Sequence, residues 1–120
     1  MRVAIIGQGY VGLTIAVDSA GAGHTVVGFD VNAELVKKLN VGHSHIEGVT
    51  DSHLGSLIES GSYLASSNPS TLEGCEVIVI AVPTPLDDQR NPDLSYVHSA
   101  ADLITKNVKS PVLVVNESTS

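Results

Sequence analysis

Three glycines in one short run limit what this chain can fold into more than any other feature. Val3-Ala4-Ile5-Ile6-Gly7-Gln8-Gly9-Tyr10-Val11-Gly12 places an apolar run first, then glycines at G-x-G-x-x-G spacing, then the start of a helical pattern. A strand, a glycine turn and a helix in that order form the turn that holds a pyrophosphate in dinucleotide-binding folds. Each glycine has its own steric reason. Gly7 permits a tight turn off the strand, Gly9 lets backbone approach phosphate with no Cβ between, and Gly12 lets the helix pack close to the strand. A helix opening near Tyr10 offers unpaired N–H groups and roughly half a unit of positive charge to that pyrophosphate.

What surrounds the turn agrees with it. The chain has 120 residues, enough for one domain with a sound core. It is 42% hydrophobic but only 3% aromatic, so the core must be built from Val, Ile, Leu and Ala. That is the usual make-up of a parallel sheet covered by helices. A net charge of −7 repels nucleic acid and anionic membranes, and neither is expected as a partner. One cysteine excludes an internal disulfide and fits a reducing compartment. Arg2 and the apolar run after it imitate a leader, but Gly7, Gln8, Gly9 and Gly12 interrupt the run, and the stretch before Asp18 is too short to cross a bilayer. A soluble, cytoplasmic protein is expected, with no internal repeat.

Beyond the turn, the pattern predicts a helix from Tyr10 to about Ala20, stopped by Gly21 and Gly23. Thr25-Val26-Val27-Gly28-Phe29-Asp30 is a second strand ending in a carboxylate eighteen residues past Gly12, close to the roughly twenty expected of an acidic residue that binds the adenosine ribose. A carboxylate there accepts from both ribose hydroxyls and repels a 2′-phosphate. No arginine follows in Val31-Asn32-Ala33, so NAD is expected rather than NADP. Asn32 caps a helix from Ala33 to Leu39, with Lys37 and Lys38 at its negative end. Leu54, Leu57 and Ile58 indicate a short amphipathic helix started by Asp51 or Ser52, and Ser62 to Ser66 a third strand. Asn68-Pro69 opens a brief helical turn. Val77 to Val82 reads as a strand buried on both faces that runs into Pro83-Thr84-Pro85. Asp93 or Ser95 caps a helix from about Tyr96 to Lys106, and Val112 to Val115 is a fifth, buried strand.

Strands alternating with helices predict a Rossmann-type doubly wound parallel sheet, with the first strand central and the ligand crevice at the carboxyl ends. Three features end at that edge: the glycine turn, Pro83-Thr84-Pro85 and Glu117.

With these residues in place, the whole chain resembles the N-terminal NAD-binding domain of the UDP-glucose/GDP-mannose dehydrogenase family. The resemblance is carried by Gly7-Gln8-Gly9-Tyr10-Val11-Gly12-Leu13, Gly28-Phe29-Asp30-Val31-Asn32, Ala81-Val82-Pro83-Thr84-Pro85, Pro92-Asp93-Leu94-Ser95-Tyr96-Val97 and Glu117-Ser118-Thr119, in that order and spacing. It implies oxidation of the C6 alcohol of a nucleotide sugar to a carboxylate in two hydride transfers to NAD+. The nucleophile of that chemistry is a cysteine in a later domain. Cys75 precedes a buried strand with no histidine or lysine beside it in sequence, and is expected to be an inert core thiol.

Carried over residue by residue, the resemblance makes Gly7, Gly9, Tyr10, Val11 and Gly12 the pyrophosphate turn and Asp30 the ribose ligand. Val82 and Pro83 join the cofactor site, and Thr84 lies near the nicotinamide half. Glu117 approaches the same end, where it helps order water near the reacting carbon, and is the candidate catalytic residue. Ala81-Val82-Pro83-Thr84-Pro85 with Glu117-Ser118-Thr119-Ser120 resembles the UDP-N-acetylhexosamine branch, with the N-acetylmannosamine sugar foremost; UDP-glucose is the alternative. Gln8 stands where the family usually has leucine, and Gly48-Val49-Thr50-Asp51 replaces a glutamate-proline segment. Because the chain stops after its fifth strand, a substrate domain is expected to lie outside it. This chain alone should then bind NAD without turning over sugar, while the full-length enzyme is expected to be a homo-oligomer that meets its UDP-sugar through the missing part.

Two rivals share much of this pattern. A non-catalytic NAD-sensing regulatory module shares the glycine turn and Asp30 but gives Pro83-Thr84-Pro85 and Glu117 no purpose. A hydroxyacid or hydroxyacyl dehydrogenase shares the first eighty residues in outline. His43, His45 and His53 lack a cysteine or carboxylate at ligand spacing, and no metal is expected. Asp87, Asp88 and Asp93 read as a solvated loop.

Overall fold

In the computed structural model, which describes residues 1–118, the aliphatic runs become strands and the mixed segments between them become helices. In chain order these are β1 (Arg2–Ile6), α1 (Tyr10–Gly21), β2 (Thr25–Phe29), α2 (Ala33–Asn40), α3 (Asp51–Ser60), β3 (Tyr63–Ser66), a 3-10 turn (Pro69–Leu72), β4 (Val77–Ile80), α4 (Ser95–Asn107) and β5 (Leu113–Asn116). Every strand pairing is parallel, in the order β3-β2-β1-β4-β5. β1 is central and the chain winds outward from it in both directions, so the switch point that opens a crevice falls at its carboxyl end.

Alternation along the strands sorts the core onto two faces. Val3 and Ile5 of β1, Val26, Tyr63, Ala65 and Val79 pack with Leu13, Ala16 and Val17 of α1, Leu39 of α2 and Leu54 of α3. On the opposite face Ala4, Ile6, Val27, Phe29, Ile78 and Ile80 meet Leu72, Cys75 and, from α4, Ala100 and Ile104. Each such aliphatic side chain contributes about 1.5–3 kcal/mol when fully buried, which is how a sheet with so few aromatic residues holds together.

Element ends follow local chemistry. Asn32 caps α2 as expected, its Oδ1 accepting from Leu35 N at 3.1 Å. α1 ends at Gly21, and Gly23 takes a positive φ of 102° just beyond. Asn68 caps the 3-10 turn, with Pro69 at its first position. Asn40, at the end of α2, pairs with the outer edge of β3 like a strand: Nδ2 donates to Ala65 O at 2.8 Å and Oδ1 accepts from Ala65 N at 2.9 Å. That occupies edge groups which would otherwise face water unpaired.

Several expectations need correction. α3 is capped by Thr50, whose Oγ1 accepts from His53 N at 3.1 Å; Asp51 instead accepts from Ser44 N and anchors the preceding loop. α4 has no side-chain cap, although Asp93 Oδ1 accepts from Ser95 N at 2.9 Å just before it. The brief helical turn expected at Asn68-Pro69 is present, and as a 3-10 turn it alone makes the crossing from β3 to β4. β4 ends at Ile80 rather than Val82, because the chain leaves the ladder as it reaches Pro83, which has no N–H to donate.

The fifth strand is in register but is not buried. Leu113 is 61% and Val114 43% exposed. An apolar run specifies membership of a sheet, whereas burial of both faces requires other elements laid over them. β5 is an edge strand, and among the described residues that cover is incomplete.

Candidate functional site

The three glycines do the separate things their spacing predicts. Gly7 takes φ +97°, and a Cβ there would meet Ala81 O at 2.6 Å. At Gly12 a Cβ would lie only 1.7 Å from Gly7 O, so α1 rests directly on the turn beneath it. Gly9 differs: its φ is an ordinary −75°, and a Cβ would meet nothing within 4 Å. What glycine preserves at that position is open space.

Gly9 also offers α1 no side-chain cap, and the helical bonding begins with Leu13 N donating to Gly9 O at 3.0 Å. The N–H groups ahead of Leu13 have no acceptor within the helix. Tyr10 and Val11 line the cavity in front of it.

Asp30 stands at the carboxyl end of β2, facing this turn. Its Oδ2 accepts from Gln8 N at 2.8 Å and its Oδ1 from Asn32 N at 2.9 Å. Two amides thereby fix the carboxylate, and each oxygen retains a lone pair for a further donor. The backbone beneath is tied down as well, with Gly7 N donating to Phe29 O at 2.7 Å and Asp30 N to Ser66 O at 3.0 Å.

Two cavities open here. One, of about 430 Å³, is mainly apolar; Ile6, Phe29 and Val31 line it from one side and Val82, Tyr96 and Leu103 from the other. The second, of about 450 Å³, is bordered by Gly9, Tyr10, Val11, Asn32, Leu35 and His45. Gly7, Asp30 and Pro83 line both, so the two are halves of one crevice over the ends of β1, β2 and β4.

Of the residues singled out in the sequence, Gly7, Gly9, Tyr10, Val11, Asp30, Val82 and Pro83 come together around this crevice. Gly12 lies beneath it as support. Thr84 and Glu117 line neither cavity. Thr84 is buried, while Glu117 is exposed at the end of β5, its N–H donating to Ile80 O at 2.8 Å. Thr119 and Ser120 of the terminal segment lie outside the described residues. Cys75 is buried with Sγ 3.7 Å from Thr71 O, as an inert core thiol should be.

The histidines separate. His43 Nδ1 lies 3.5 Å from Asp51 Oδ2 in an exposed pair, whereas His45 borders the second cavity. Among the described residues no group of three His, Cys, Asp or Glu side chains is placed to hold a metal. No described helix is long and apolar enough to cross a membrane.

Sequence reasoning missed His45, the α4 lining residues Tyr96, Ser99 and Leu103, and the burial of Gln8 against Tyr63. Only Gln8 carried a signal, as a departure from the usual residue of its turn.

The site fits an adenine dinucleotide on its own geometry: a cradle kept clear of Cβ atoms, a helix mouth with spare donors, a backbone-anchored carboxylate and an apolar slot alongside. Comparison with known proteins gives the same answer. The profile of the UDP-glucose/GDP-mannose dehydrogenase family, NAD binding domain, matches residues 1–120. The chain is 38% identical over 120 residues to a UDP-N-acetyl-D-mannosamine dehydrogenase of Pyrococcus horikoshii, covering 99% of this chain and 28% of that protein. It is 36% identical over 119 residues to a UDP-N-acetyl-D-glucosamine 6-dehydrogenase of Pseudomonas aeruginosa, covering 99% of this chain and 27% of that one. The solved structure of a UDP-D-ManNAc dehydrogenase from Pyrococcus horikoshii superposes with a TM-score of 0.91 at 36% identity, over 98% of this chain and 28% of that chain. The chain thus spans little more than a quarter of the length of these relatives. Glycine turn, carboxylate, sheet order and full-length match agree: this chain belongs to the UDP-glucose/GDP-mannose dehydrogenase family and corresponds to its NAD-binding domain.

Proposed function

We propose that the crevice is the coenzyme half of a nucleotide-sugar 6-dehydrogenase. Its substrate would be a UDP-N-acetylhexosamine, UDP-N-acetylmannosamine foremost, whose C6 alcohol is oxidised to the carboxylate. The observation that carries this is the place of Asp30, on the boundary between an apolar slot and a cavity bordered by the mouth of α1. An adenosine diphosphate arm has that same order of parts. In this arrangement the slot between Phe29, Val31 and Leu103 takes the adenine, and Asp30 accepts from the ribose hydroxyls. The amides of the Gly9–Val11 turn and the positive end of α1 hold the pyrophosphate. When bound, NAD supplies the hydride acceptor for each oxidation step.

The chain's own residues do the rest. Gly7 and Gly12 set the shape of the turn, and Gly9 lets phosphate approach it. Asp30 binds a free 2′-hydroxyl and repels a 2′-phosphate by like charge. Thr84 and Glu117, which follow the neighbouring strands β4 and β5 and line neither cavity, would serve the nicotinamide end, where Glu117 would hold water near the reacting carbon. The UDP-sugar and the nucleophilic thiol come from parts of the enzyme beyond this domain, and the working enzyme is a homo-oligomer. Neither nucleic acid nor membrane is a partner of so acidic a surface. That the Pyrococcus and Pseudomonas relatives are UDP-N-acetyl-D-mannosamine and UDP-N-acetyl-D-glucosamine dehydrogenases supports the N-acetylhexosamine assignment over UDP-glucose.

Calorimetric titration of this chain with NAD and with NADP tests the cofactor site. NAD should bind at least about tenfold more tightly, since like-charge juxtaposition costs several kcal/mol. Equal or tighter NADP binding would contradict the role of Asp30. For the substrate, the full-length enzyme should reduce NAD faster with UDP-N-acetylmannosamine than with UDP-glucose, and the reverse order would overturn the sugar assignment.

A further inference from the structure

The sheet face covered by α1 contains a polar knot that the coenzyme site does not itself require. Gln8 is fully buried and Tyr63 nearly so. Tyr63 Oη donates to Gln8 Oε1 at 2.7 Å, and Gln8 Nε2 donates to Ile5 O at 3.1 Å and Gly7 O at 2.9 Å. Gly28 on β2 makes the room, because a Cβ there would lie 2.4 Å from both Gln8 Oε1 and Tyr63 Oη. Burial, and secondarily the negative charge of Asp30, push the Tyr63 hydroxyl well above its ordinary pKa, so it stays a donor. Three residues far apart in sequence therefore specify one satisfied hydrogen bond inside an aliphatic core. Leaving either partner orphaned there is costly, so the bond acts as a geometric constraint.

That constraint reaches the crevice through a single residue. Gln8, whose side chain is pinned by Tyr63 and by the carbonyls of Ile5 and Gly7, donates its main-chain N–H to Asp30 Oδ2. A leucine of similar volume would fill the space but would not fix the plane of the turn. We infer that Gln8 and Tyr63 are a positioning pair that orients Asp30 toward the adenosine ribose, setting how sharply the site reads the 2′-hydroxyl from a position on β3 that touches no ligand. The inference stands on the assignment of the ribose to Asp30.

The test is the ratio of affinities for NAD and for its 2′-deoxyadenosine analogue, measured by calorimetry beside a thermal melt of each variant. In the wild type the analogue should bind about tenfold more weakly, the worth of one hydrogen bond to a charged group. Y63F should cut that ratio by about threefold or more, since a misaligned hydrogen bond weakens steeply. Q8L/Y63F removes both partners of the buried side-chain pair, withdrawing only the Nε2 donor from the Ile5 and Gly7 carbonyls, and so should fold even where Y63F does not; it should show the same reduced ratio. Leu57→Ala, a core truncation on α3, should lower the melting temperature and leave the ratio at its wild-type value. A wild-type ratio in both Y63F and Q8L/Y63F, with D30A abolishing it, would overturn the positioning pair and leave the ribose assignment intact. A ratio unchanged in D30A as well would overturn both.

Discussion

The carboxyl ends of β2 and β5 lie on the same sheet edge and are built in opposite ways. At β2 the chain is fixed from inside: Gly7 N and Asp30 N pair with neighbouring strand ends, Gln8 N holds Asp30, and Tyr63 holds Gln8. At β5 one backbone bond, Glu117 N to Ile80 O, holds the carboxyl end, and the fixings at the amino end are superficial. Leu113 and Val114 are exposed, and the loop before the strand is tied by Glu73, whose carboxylate accepts from the Lys109 N–H and, at 2.8 Å, from the Ser110 hydroxyl. The half of the crevice assigned to adenosine is thus determined by packing within this domain. Glu117, which lines neither cavity and is proposed to serve the nicotinamide end, follows a lightly held edge strand. In the adenosine half, errors at the buried supports should damage the fold and affinity together and errors at the ligand-facing groups should damage affinity alone; errors at the edge should do neither strongly.

The contrast breaks down if the tight end proves tolerant. G12A drives a Cβ into the Gly7 carbonyl, and because the obstacle is backbone it should cost at least about 3 kcal/mol, the upper end of overpacking effects. Chemical denaturation reads this directly, and a loss below about 1 kcal/mol would mean that α1 does not rest on the turn. D30A should leave the fold nearly intact and weaken NAD by about 1–3 kcal/mol in calorimetry, the loss of hydrogen bonds to a charged acceptor. G9A sharpens the distinction between support and cradle. Its Cβ meets no protein atom, so stability should hold within about 0.5 kcal/mol while NAD affinity falls by about 1 kcal/mol.

The smallest effect belongs to the loose end. The Lys109 N–H and then the Ser110 hydroxyl hold the Glu73 carboxyl below its ordinary pKa. A carboxyl whose folded pKa is depressed stabilises the fold above its unfolded pKa and loses that contribution as pH falls through the folded one. Melting temperature should therefore decline from about pH 5 toward pH 3 somewhat less in E73Q than in the wild type. An identical acid limb in the two proteins would show that Glu73 does not secure this edge.

The same division explains how much could be read without coordinates. Gly7, Gly9, Gly12 and Asp30 were legible because each answers to a local steric or electrostatic demand at fixed spacing. The parallel sheet with β1 at its centre followed from handed crossovers between short aliphatic runs. The Gln8–Tyr63 bond was not legible, since it joins residues fifty-five positions apart and depends on Gly28 lacking a side chain. His45 is exposed, and its place at the rim of the second cavity was not legible because nothing local links that loop to the glycine turn. The exposure of β5 was hidden for a different reason: a run of Val and Leu states that a strand joins the sheet and says nothing of what covers it.

The central claim is that Asp30 grips the adenosine ribose between an apolar slot and the mouth of α1. A crystal structure of this chain grown with NAD tests it most directly. It should show both ribose hydroxyls within hydrogen-bond reach of the Asp30 carboxylate and the pyrophosphate over Gly9. A coenzyme bound with its ribose away from Asp30, or lying outside the crevice, would contradict it.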